Sequence, residues 1–175
     1  MDDTTTESWT HPAVQQRSSA IEGEGLFTTA DLPAGTVVAR LRGRLVDDVE
    51  LAKLFAAADE VGGYVDTIMI DDDVNLVLAP DQLIHYGNHS CDPTLWHLDA
   101  TTLATRRDVT AGEELTIDYA TQTVHPDFEL ACRCGSPRCR ETVTGVDWTD
   151  PDWRATYGDH VVPAVRQAIA KWAKK

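Results

Sequence analysis

A chain of 175 residues is long enough for one domain with its own core, and 42% hydrophobic residues is too many for a disordered segment. No apolar run approaches the roughly 20 residues that cross a bilayer, so no membrane contact is expected. Twenty-nine acidic against 15 basic residues give a net charge of −14, which argues against direct nucleic-acid contact and suits a basic, lysine-rich protein partner.

The opening "MDDTTTESWTHP" is acidic and polar, unlike a signal peptide. Residues 1–16 therefore read as a poorly ordered arm or an edge segment, and the chain as one kept in a reducing compartment. With no basic run to address it to a nucleus, a cytoplasmic home is expected. From 26 to 46, "LFTTA" and "TVVARLRGRLV" read as strands parted by the turn "DLPAG". "DDVELAKLFAAADE" then spaces Leu51, Leu54, Phe55 and Ala58 as a helix, with acidic residues at its start and Gly62-Gly63 after it. Strands follow at "YVDTIMI", "VNLVLA", "TTLATRRDV" and "ELTIDYA". The phrases "DLPAGTVV" and "DVTAGEEL" are two similar turns, since nothing around them repeats. Asp150 and Pro151 open a short helix that ends before Gly158, and a last helix from Pro163 places Val165, Ile169 and Trp172 on one face. The class is mostly β with helical decoration, α+β.

Four cysteines carry the chemistry. Cys132, Cys134 and Cys139 form a C-x-C-x4-C cluster on a loop turned by Gly135 and Pro137, and Cys91 stands alone in "YGNHSCDPT". Tetrahedral zinc needs four ligands, and using all four cysteines leaves no odd thiol. Against this stand a disulfide, disfavoured by the compartment and by the short C-x-C spacing, and unliganded buried cysteines. A thiol nucleophile at Cys91 beside His89 would leave the other three unexplained. The run "DDDVNL" imitates the start of a calcium loop, but Leu76 and Gln82 occupy the positions that need Gly and Glu, so it reads as a solvated hairpin end.

"GEG" at 23–25, "NHSCDP" at 88–93, "GEELTIDY" at 112–119 and the cysteine tail, in that order, resemble the motifs of SET-domain protein-lysine methyltransferases with a post-SET zinc-binding motif. The resemblance covers roughly 17–145. It implies a β-clip fold of short strands with a pseudoknot, divided as an N-terminal arm (1–16), SET domain (17–121), post-SET zinc loop (122–145) and C-terminal helical extension (146–175). It further implies S-adenosylmethionine as cofactor, held by Gly23, Glu24, Gly25, Asn88 and His89, with Tyr119 as the catalytic tyrosine. It implies one structural zinc ion on Cys91, Cys132, Cys134 and Cys139, and a basic lysine-containing protein as substrate. Methyl transfer at a sulfonium needs a neutral amine in line with the methyl group, a matter of orientation more than of acid–base machinery. The departures are His85-Tyr86 in place of Arg-Phe, Thr94 in place of Asn, and Ile117 where many members carry Phe or Tyr. A smaller Ile117 implies room for at least dimethyllysine.

Overall fold

The computed structural model describes residues 7–174, so the first six residues of the expected arm lie outside the described residues. The rest of that arm is an edge segment: β1 (Trp9–Thr10) and β2 (Val14–Ser18) are both paired. In chain order follow β3 (Glu24–Thr28), β4 (Val37–Arg40), β5 (Gly43–Val46), α1 (Asp48–Glu60), β6 (Thr67–Asp71) and β7 (Val74–Leu78). Then come β8 (Leu95–His97), β9 (Thr102–Thr105), β10 (Glu129–Ala131), β11 (Thr142–Thr144), α2 (Pro151–Tyr157) and α3 (Pro163–Trp172). All sheets are antiparallel and small: β1-β4-β9-β8, β5-β7-β6, β2-β3 and β10-β11. The expected strand "TVVARLRGRLV" breaks at Leu41-Arg42, and its halves β4 and β5 enter different sheets.

The stretch read as a strand at "ELTIDYA" forms no regular strand. It is threaded instead. The Leu115 N–H donates to the Leu26 carbonyl at 2.7 Å and the Thr28 N–H to the Glu113 carbonyl at 3.1 Å. On the other side, Ile117 N–H donates to Asn88 O and Ser90 N–H to Ile117 O, both at 3.1 Å. Residues 113–117 thus bind β3 and the 88–95 segment at once, which satisfies a backbone buried beneath Leu115 and Ile117. Thr94 supports the same threading, its hydroxyl accepting from Thr116 N–H at 2.9 Å.

The two similar turns prove to be partners. Leu32 and Val109 exchange backbone hydrogen bonds at 2.8 and 2.9 Å. Asp31 accepts from the Ala111 N–H and Asp108 from the Ala34 N–H, each at 2.8 Å. Gly35 and Gly112 both sit at positive φ, 82° and 89°, where an L side chain is strained. Each D-x-x-A-G phrase therefore caps the other.

At the C-terminus, Asp150 accepts from Asp152 N–H to cap α2, and Gly158 follows it at φ 55°. Val161, Val162 and Val165 are fully buried, each contributing about 1.5–3 kcal/mol by burial. The Val162 N–H donates to the Thr121 carbonyl at 3.0 Å, fastening α3 beside the short turn Tyr119–Thr121. Val165 and Ile169 face inward as expected, whereas Trp172 is 44% exposed and carries the Arg154 guanidinium over its ring.

His97 is fully buried and neutral. Its Nδ1–H donates to Asp99 O at 3.0 Å, and Nε2 accepts from the Gln122 amide at 3.1 Å. Burial lowers its pKa to about 4, against the opposing pull of the Asp99 carbonyl and carboxylate. A histidine depressed below its unfolded value of about 6.5 binds fewer protons when folded, so its contribution is present above about pH 6.5 and lost as pH falls toward 4. The melting temperature should fall between pH 6.5 and 4, and fall less in His97→Gln. An equal acid loss in both proteins would remove His97 from the account.

Candidate active site

The threading delivers Tyr119 to the end of the 113–117 segment. Asp118 accepts from the Ala120 N–H and opens the short turn that holds it. The Tyr119 hydroxyl donates to the Gly87 carbonyl at 2.7 Å, and its ring meets the edge of His89 at 5.4 Å between centroids. Burial, then the nearby charges of Tyr64 and Asp66, push the Tyr119 phenol well above its ordinary value, so it remains a hydrogen-bond donor.

The glycine loop is fastened to the same point by Asn88. Its Nδ2 donates to Glu22 O (3.1 Å), Glu24 O (3.0 Å) and Glu114 Oε1 (2.9 Å). Gly25 is packed internally: a Cβ there would lie 2.2 Å from Glu114 Oε1 and would displace that carboxylate from Asn88 and Ser19. Gly23 is required by its φ of 42°, with open space around it. The His89 side chain is turned inward. Its Nδ1 accepts from Tyr119 N–H at 3.1 Å, so the ring hydrogen is on Nε2, 3.3 Å from Cys91 Sγ. Burial lowers its pKa to about 4 and keeps it neutral. Only the His89 main chain is left for a ligand.

The four cysteines converge. Their Sγ atoms all lie within 4.8 Å of one another, and none is in a disulfide. The Cys91–Cys132 separation is 3.8 Å, the edge of a tetrahedron with metal–sulfur bonds of about 2.3 Å. The Arg140 N–H points at Cys91 Sγ at 3.4 Å, a donor that favours thiolate. A group of four thiols with such a donor fits a metal ion. No disulfide joins them, and Cys91 stands with three further sulfurs as well as with the His89 ring, whose Nε2 carries a hydrogen and so is no base toward it.

Two cavities meet at Tyr119. One, of about 710 Å³, is mainly apolar and reaches Ile117, Tyr64, Asp66, His85 and α1. The other, about 110 Å³, lies among Glu22, Asn88, His89, Cys132 and Arg133. Tyr119 and Leu130 line both. The profile of the SET domain matches residues 23–120. The chain belongs to the SET-domain family.

Among its relatives are the histone-lysine N-methyltransferases TRX1 of Oryza sativa subsp. japonica, trithorax of Drosophila virilis and 2B of Homo sapiens. Identities are 30% over 141 residues, 34% over 134 and 31% over 137. These alignments take in 74%, 70% and 73% of this chain, but only 13%, 3% and 5% of those proteins. The SET domain here is therefore similar to one small part of much longer proteins.

Of the residues singled out from sequence, Asn88, His89 and Tyr119 line the smaller cavity together with Cys132, whereas Gly23, Glu24 and Gly25 do not line it and are tied to it through the Asn88 contact with the Glu24 carbonyl. Sequence reasoning missed Glu114, which ties Asn88 and Ser19 together, and Asp118 with Arg140. Glu114 and Asp118 lay inside a quoted motif, but their partners are 95 and 22 residues away.

Proposed function

We propose that this SET domain transfers a methyl group from S-adenosylmethionine to the ε-amine of lysine in a basic protein, and that its four cysteines hold one structural zinc. The observation that carries the reading is Tyr119 lining both cavities, the large apolar one and the small one beside Asn88 and Cys132. The smaller cavity is lined by Glu22, Asn88, His89 and Arg133, which bring polar and cationic groups to a zwitterionic nucleoside ligand. When bound, that cofactor supplies an electrophilic methyl on a sulfonium. The apolar side excludes water from an aliphatic lysine stem, and Tyr119, pinned to Gly87 O, orients the amine. Net charge −14 attracts a basic substrate, and the relatives' names suggest histone-like proteins as the first to try. A zinc with four sulfur ligands has no open position, so it would fix residues 132–140 beside the cofactor cavity and not act as Lewis acid.

The test is calorimetry of zinc-quantified protein with S-adenosylmethionine, followed by methylation of core histones. Saturable cofactor binding and labelled lysine are expected. Binding without transfer to any lysine would leave an inactive scaffold as the better reading. About one zinc per chain is expected by atomic emission. Its removal by chelation, or Cys134→Ser, should abolish saturable cofactor binding and lower the melting temperature. Metal-free protein that binds cofactor normally would exclude the structural role.

Ile117 is buried in the wall of the large cavity. With no hydroxyl and less bulk than Phe or Tyr, it leaves room for a methylated nitrogen. Mass spectrometry of the product should include dimethyllysine at least, and Ile117→Tyr should shift it toward monomethyl. A wild-type product that stops at monomethyl overturns this.

A further inference from the structure

The large cavity contains a buried carboxylate that the reading above does not use. Asp66 precedes β6 and faces the cavity together with Tyr119. Its Oδ2 lies 2.5 Å from His85 Nδ1, and the His85 Nε2 lies 2.6 Å from the Ala79 carbonyl. A carbonyl can only accept, so Nε2 carries a hydrogen. One further proton then occupies the contact between Nδ1 and Oδ2, because lone pair against lone pair would be repulsive at that distance. The pair shares that proton and is net neutral. The Asp66 side chain is 21% exposed and that of His85 20%, so the pair borders solvent while it lines an apolar chamber.

We infer that Asp66, fixed by His85, receives the substrate lysine: its Oδ1 accepts a hydrogen bond from the ε-ammonium and then takes the proton that must leave before methylation. This rests on the lysine-methyltransferase reading. The balance is simple. One N–H bond breaks with its electron pair left on nitrogen, an O–H bond forms on Asp66, and the pair becomes carboxylic acid beside imidazolium. The nitrogen lone pair is then free, and the proton passes to water at the cavity mouth.

The surroundings suit this task. Burial raises the Asp66 pKa against the opposing pull of His85, which makes the carboxylate a better proton acceptor than a surface aspartate. The other titratable groups facing the cavity are Tyr64 on the same segment, Tyr119, Asp48 on α1, and His125 and Asp127 on the loop before β10. Asp48 is engaged by the Asn75 amide at 2.7 Å, and Tyr119 by Gly87. No Lys or Arg lines the cavity among the described residues, while three carboxylates do, those of Asp48, Asp66 and Asp127. An apolar chamber whose carboxylates include Asp66, in the same cavity as Tyr119, selects a cation on an aliphatic stem over a neutral group of equal length.

Two experiments test this. First, without cofactor, n-butylammonium chloride is titrated into the ¹⁵N- and ¹³C-labelled protein, with n-butanol as the neutral comparison. Saturable shifts at the His85 ring and at Tyr119 are expected with the ammonium and not with the alcohol, and should vanish in Asp66→Asn. Equal responses to both probes, or unchanged ammonium binding in Asp66→Asn, overturn the inference. Second, single-turnover methylation of core histones is followed from pH 6 to 10. Asp66→Asn should lose about 10²-fold at pH 7 and converge toward wild type near pH 10, where the lysine amine (pKa about 10.4) deprotonates unaided. Asp66→Glu, which keeps the carboxylate, should retain the wild-type profile at a lower rate, and this arm stands even if Asp66→Asn folds poorly. A pH-independent loss in both variants makes Asp66 merely structural and sinks the inference while the methyltransferase reading stands. A wild-type protein that methylates no lysine at any pH removes both.

Discussion

Tyr119→Phe is expected to slow methyl transfer by roughly 10²–10³-fold, the usual loss when one preorganised donor is removed from a water-poor site. Cofactor affinity should be nearly unchanged. The ring itself does the packing, against the edge of His89, and Phe keeps it. What disappears is the hydroxyl donating to Gly87 O at 2.7 Å, at the point where the two cavities join. Its raised pKa decides the role: a phenol kept protonated orients and does not abstract, so activity should not follow phenol ionisation below about pH 10. Single-turnover transfer beside calorimetric cofactor binding checks this. A fall in kcat and kcat/KM together marks an interaction made in the transition state. Retention of most of the rate would take Tyr119 out of the chemistry, and loss of cofactor binding would make it structural.

The motifs were legible because the SET domain places local phrases at functional points. "NHSC" and "GEELTIDY" each contain residues that touch a cavity, and the cysteine spacing pointed to a four-sulfur group, which the fold assembles. Helices were legible for a similar reason: Asp47 and Asp150 cap their own segments, and Pro163 begins its helix. What stayed hidden depends on partners far along the chain. "ELTIDYA" has strand composition, yet its backbone bonds go to two separate segments, so alternation could not reveal the threading. Asp66 looked like one polar residue in "YVDTIMI" until His85, 19 residues later, was seen against it. Even the glycine loop was only half readable. The resemblance implied that Gly25 helps hold the cofactor, whereas the atom nearest to where its Cβ would stand is Glu114 Oε1.

Asp118→Asn is expected to cost about 3–5 kcal/mol, the range for breaking a buried charged pair, and to lower the melting temperature by roughly 6–20 °C for a chain of this size. Asp118 is fully buried and accepts from three parts of the chain. Arg140 reaches it with both terminal nitrogens, at 2.8 and 2.6 Å. From α2, Trp153 Nε1–H donates at 3.1 Å and the Tyr157 hydroxyl at 2.7 Å. An asparagine keeps the shape but turns an amide N–H₂ toward these donors, and it leaves the partly buried Arg140 cation with Asp147 alone, 3.2 Å from its Nε. The consequence reaches the cysteines, because the same Arg140 offers its N–H to Cys91 Sγ. It reaches Tyr119 as well, the next residue in the chain. Helix α2 thus braces the cysteine loop and Tyr119 through one carboxylate. Tyr157→Phe should cost about 1.5–3 kcal/mol by the same contact, and the two losses should be strongly non-additive in a double-mutant cycle. Denaturant melts of the zinc-replete variants settle it. Additive losses would mean that α2 is held by apolar burial alone and that Asp118 serves only the loop.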